Sequence, residues 1–136
     1  MHAYTGTSTV GTTIPTSAWA VIPSLGTGFT SNGGPVEIGV SINTIAGSTT
    51  TCSPLVDGNT ISADPVSEPD NYNNFWNEGL LTSVNGSWWH MWNRVRVYRG
   101  IAAGSHQLTL QCRTDSGTVS VGSGGVANLW AVAYDQ

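Results

Sequence analysis

Between residues 35 and 43 the chain reads PVEIGVSIN. Val36, Ile38, Val40 and Ile42 fall on one side of an extended backbone, and Glu37, Gly39, Ser41 and Asn43 on the other. Successive side chains of a strand point to opposite faces, so this stretch predicts a strand with one face on a core and one facing outward. HQLTLQCR, residues 106–113, repeats the pattern, with Leu108, Leu110 and Cys112 alternating with Gln107, Thr109 and Gln111. No window of helical length keeps an i, i+3, i+4 apolar spacing free of Gly and Ser. The period of two therefore dictates an all-β chain.

Shorter strands are expected at 17–22, 51–56, 77–84, 87–98, 117–122 and 126–134. Asn32-Gly33-Gly34-Pro35, Asp57-Gly58 and Asn85-Gly86 supply the positive φ angles that tight turns between strands require. About eight strands at such spacing indicate a sandwich or barrel. SADPVSEPDNYNNF, residues 62–75, with its prolines, acids and asparagines, reads as a surface loop. With 136 residues the chain is expected to form one domain over 15–136, preceded by an N-terminal arm over 1–14.

Charge narrows the partners. There is no lysine, the four cations are arginines, and the formal net charge is −4. Nucleic-acid binding draws on clustered Lys and Arg, so no nucleic-acid partner is expected. No apolar run approaches the roughly 18 residues that span a bilayer, and MHAYTGTSTVGTT lacks the charged and apolar regions of an export signal. No membrane association is expected. Cys52 and Cys112 lie too far apart in sequence for a CxxC motif; they are expected to be either a disulfide or two buried thiols.

The final strand pattern, VANLWAVAY, is apolar on both faces: Val126, Trp130, Val132 and Tyr134 on one, Ala127, Leu129, Ala131 and Ala133 on the other. An antiparallel strand with a wet face would alternate. The second face is therefore expected to be covered by another subunit, with Trp130, Ala131 and Ala133 in the contact.

The order TSAWAVIPSLGTGFTSNGGPVEIGVSIN, CSPLVDGNTIS, VYRGIAAGSHQLTLQCR, NLWAVAYDQ, with the phrases GGPVEI, LVDG and GIAAGSHQLTLQ, resembles the jelly roll of C1q and tumour-necrosis-factor-like domains. It is most similar to the small versions among bacteriophage structural proteins, over roughly residues 15–136. The resemblance implies an antiparallel jelly-roll sandwich, a homotrimer with the closing strand near the threefold axis, and neighbouring strands for Cys52 and Cys112. It implies no catalytic residue and no cofactor.

SWWHMWNRVRVYRG, residues 87–100, has no counterpart in that resemblance. It gathers three of six tryptophans and three of four arginines. On an unbroken strand Trp89, Met91, Val95 and Val97 share a face, expected to be core, and Trp88, His90, Trp92, Arg94, Arg96 and Tyr98 share the other. The second set matches the residues enriched at interface hot spots and is expected to dock a sister subunit or capsid shell, with Glu37 among the counter-charges. Two alternatives stay open: a platform on which Trp88, Trp92 and Tyr98 stack against sugar rings, or ordinary core with a bulge that reverses the facing.

His90 lacks convergent donors for a metal site. Asp64, Glu68 and Asp70 lack the alternation and glycine of a calcium loop, so both are read as structural. Asn85-Gly86-Ser87 matches a glycosylation sequon but is first a hairpin turn. GxSxG, GxxxxGKS and HExxH are absent, which leaves a dispersed hydrolase site as the remaining enzymatic option. The expectation is a non-enzymatic virion protein, assembled in the host cytoplasm, that decorates the phage head as a trimer on the major capsid protein or another virion component. A start at Met1 without a stalk favours head over tail. The alternative is a receptor- or glycan-binding tail module.

Overall fold

A computed structural model of the chain describes residues 1–8, 12–14, 18–45, 50–61, 76–78, 89–114, 119–121 and 127–135. Among these residues every regular element is a strand. They are β1 (His2–Ser8), β2 (Thr12–Ile14), β3 (Ala20–Asn32), β4 (Val36–Ile45), β5 (Thr50–Val56), β6 (Asn59–Thr60), β7 (Trp76–Glu78), β8 (Trp89–Tyr98), β9 (Ala103–Thr114), β10 (Val119–Val121) and β11 (Ala127–Ala133).

Two antiparallel sheets pack as a sandwich. In the first, β11 lies between β1 and β4, β8 takes the other edge of β4, and β10 joins the far end of β4 to β2. In the second, β9 lies between β3 and β5, and the short β6 and β7 both border β5. Successive long strands change sheet: β3 in the second, β4 in the first, β5 in the second, β8 in the first, β9 in the second, β11 in the first. That winding is the jelly roll.

The alternation of PVEIGVSIN sets the core. Val36, Ile38, Val40 and Ile42 are all fully buried, facing a layer that includes Leu25, Phe29, Leu108 and Leu110. Each such side chain contributes about 1.5–3 kcal/mol by leaving water. Cys52 and Cys112 stand directly opposite each other on β5 and β9, are fully buried, and are bonded as a disulfide. Asp57-Gly58 forms the expected two-residue hairpin between β5 and β6, with φ of 52° and 78°.

Two expectations need correction. The stretch 1–14 is not an arm preceding the domain: His2–Ser8 pairs with β11 along its whole length, and Thr12–Ile14 pairs with β10. HAYTGTS carries little apolar alternation because Gly6, one of its inward residues, lies directly on the backbone of Gly26. A Cβ at Gly6 would stand 2.2 Å from the Gly26 carbonyl oxygen. Second, the strand predicted at 17–22 runs on to Asn32, with a register shift between Val21 and Gly26 where Pro23 and Ser24 interrupt the pattern. Of the strand expected at 77–84, the described part, 77–78, falls in β7; the rest of that segment and Asn85-Gly86 lie outside the described residues.

Candidate interaction face

The inward face of the first sheet is closed by the chain's own core, so its outward face is where function can reside. Strand register orders that face in rows. Thr7, Asn128, Ser41 and Asn93 form one row, Thr5, Trp130, Gly39 and Val95 the next, and Ala3, Val132, Glu37 and Val97 a third. The first row is polar, and Thr7 Oγ1 donates to Asn128 Oδ1 at 3.0 Å. The second and third are mostly apolar, and Glu37 is their single charged residue.

Trp130 organises the centre. Its indole ring lies on Gly39, where a Cβ would stand 2.0 Å from ring carbon Cζ2. Glycine there is a packing requirement, since only a residue without a side chain lets the ring lie against the strand. The ring is half-buried. Beside it Val95 is 44 % exposed, so it extends the apolar surface around the ring. Val97, Val132 and Tyr134 are half-buried. Tyr134 Oη donates to Glu37 Oε2 at 3.4 Å, and the Glu37 charge, followed by desolvation, holds the phenol above its ordinary pKa.

This geometry reverses two assignments. On β11 the small residues face inward: Ala127, Leu129, Ala131 and Ala133 are buried in the chain's own core. Ala131 and Ala133 are therefore not subunit-contact residues. Leu129 and the three alanines pack into the cluster that includes Leu25 and Phe29, and the alternation of the strand leaves Trp130 and Val132 on the opposite, outward side. On β8 the facing is likewise opposite to the expectation. Tyr98 is fully buried in the core and Arg96 is half-buried, whereas Val95 and Val97 face outward. Tyr98 cannot dock a neighbour from there. Hydrophobicity assigned the two valines to the core, but the aromatic ring is the larger apolar surface and it took the inward side.

The side chains of Trp88, His90, Trp92 and Arg94 lie outside the described residues, as do Asp64, Glu68 and Asp70. Arg96 Nη1 donates to the Val95 carbonyl at 3.1 Å. The cation–π contact present in the described part belongs to the fourth arginine, with Arg113 5.1 Å from the Trp19 ring. Among the described residues no three His, Cys, Asp or Glu side chains converge as a metal site.

Sequence reasoning missed Val95 and Val97 as surface residues and overlooked Gly39 as the seat of Trp130. The available signal was a glycine on the outward side of a strand interior, between Glu37 and Ser41, which marks a close approach. No family model matches the chain, and no curated protein matches it.

Proposed function

We propose that this chain is a non-enzymatic assembly subunit that forms a homotrimer and serves as a virion component, decorating a phage head. The observation that carries the assembly reading is the outward Trp130–Gly39–Val95 and Val132–Glu37–Val97 rows, an apolar patch with one charge on the face of a sheet. Patches of several hundred Å² are rare on soluble monomers and mark association surfaces. A threefold ring is heterologous, so this face of one copy meets a different surface of the next. The virion assignment rests on the resemblance of strand order and short phrases to phage structural jelly rolls. The buried disulfide fits a protein that works outside a reducing cytoplasm, virion surfaces being one such setting.

One observation favours a second reading. An indole lying on a sheet, with Glu37 and the Tyr134 hydroxyl nearby, is also a stacking platform for a sugar ring. Val95→Asp and Val132→Asp separate the two. A charge forced into a subunit contact costs several kcal/mol, so both variants should be monomeric while folded, and should fail to decorate particles. Variants that associate like the wild type, while Trp130→Ala abolishes a glycan-array signal, would replace assembly with recognition.

A further inference from the structure

At one end of the sandwich the β5–β6 turn, β9 and the loop 99–102 meet around a single imidazole. His106 Nδ1 lies 2.7 Å from Asp57 Oδ2, and His106 Nε2 lies 2.9 Å from the Ala102 carbonyl oxygen. Asp57 is fixed independently of the ring: its backbone N–H donates to the Gln107 carbonyl and its Oδ1 accepts from Gln107 N, both at 2.8 Å. Phe29 on β3 packs against the imidazole at 5.3 Å between centroids. Both acceptors are oxygens, and a neutral imidazole has one N–H, so only the doubly protonated ring satisfies both contacts.

We propose that His106 is a pH-operated clasp, which as imidazolium ties the loop 99–102 to the β5–β6 turn and on losing a proton releases that loop. The surviving proton stays on Nδ1, where a carboxylate is the stronger acceptor, and Nε2 then presents a lone pair to the Ala102 carbonyl. That contact breaks. The loop carries Ile101, which is 7 % exposed and, with Val56, Ile61 and Tyr98, lines a recess of about 290 Å³ beside the ring. Release therefore frees one wall of that recess. Asp57 from the turn meets the ring directly, the uncharged Phe29 of β3 packs on it, and the other titratable or charged groups lining the same recess are Arg99 from the loop and Tyr98 from β8. Asp57 raises the His106 pKa above its ordinary value, with the Ala102 carbonyl second, while burial opposes them. The clasp is thus closed in mildly acidic solution and opens as the pH rises through the folded-state value.

Nitrogen-detected NMR of the histidine ring tests the proton count, and hydrogen exchange of the 99–102 segment, corrected for base catalysis, tests the loop. The expected result is a ring protonated on both nitrogens at pH 5.5. Protection of 99–102 should fall about tenfold by pH 8.5, the equivalent of one lost charge-assisted hydrogen bond. Asp57→Asn separates a clasp from a merely structural pair. Its amide can accept from Gln107 N through Oδ1 and donate to Nδ1 through Nδ2, so a neutral ring keeps its Nε2–H on Ala102. Loop protection in that variant should no longer depend on pH and should persist at pH 8.5. A neutral wild-type ring at pH 5.5, pH-independent wild-type protection, or a loop loosened at both pH values in Asp57→Asn would each overturn the proposal.

Discussion

Reduction of the Cys52–Cys112 bond is a perturbation whose size follows from topology. The two sulfurs close a loop of 60 residues between paired strands. Loop-closure entropy for that length is about 14 cal/mol/K, or about 4 kcal/mol of stability at 25 °C. Both cysteines are fully buried, so the reduced thiols stay in the same apolar positions and the loss is almost wholly that of the cross-link. For a domain of this size the loss corresponds to a Tm lower by roughly 12–20 °C. The assay is guanidinium unfolding with and without a phosphine reductant, at one fixed protein concentration because self-association would shift both curves. The reduced protein should unfold at a clearly lower midpoint, with a steeper slope because its unfolded chain exposes more surface. Coincident midpoints, or two alkylatable thiols in the unreduced unfolded protein, would refute the reasoning.

Leu110→Ala removes a fully buried side chain from the middle of β9 and should cost about 2–5 kcal/mol, read from the denaturation midpoint. Gly6→Ala puts a methyl where β1 must move by 1.2 Å to restore a 3.4 Å contact with Gly26. A net loss of roughly 1–2 kcal/mol is expected after the backbone-entropy gain of the alanine, and a stabilised variant would refute the close approach. Stability should also depend on pH through the His106–Asp57 pair. The raised histidine contributes fully below its unfolded value of 6.5 and loses that contribution as pH climbs through its folded value. Asp57, depressed first by the His106 hydrogen bond, contributes above 3.8 and loses as pH falls through its lower folded value. Urea midpoints should therefore be higher at pH 5.5 than at pH 8.5, and His106→Gln should flatten that difference.

The alternation in residues 35–43 and 106–113 made two central strands and their core residues legible, because burial on one face imposes a period of two wherever it occurs. The Asp57-Gly58 hairpin was legible for a local reason, the positive φ its turn requires. β1 was not, since its inward residues are Tyr4 and Gly6, and close backbone approach leaves no hydrophobic signature. The facing of β8 was not legible either. Val95, Val97 and Tyr98 are all good strand residues, and which side turns inward depends on the space left by the other sheet. The doubly apolar pattern of β11 did reveal an outward apolar face, but Ala131 and Ala133, expected in a subunit contact, belong to the buried side. Large residues pack inward by default, and here Gly39 supplies a seat for the indole on the outside.

The native mass in dilute solution tests the assembly account most directly. Sedimentation equilibrium across a concentration series should give three times 14.2 kDa, about 43 kDa, collapsing to 14.2 kDa for Val132→Asp. A wild-type protein that stays at 14.2 kDa throughout, with the Trp130 face open to solvent, would contradict it.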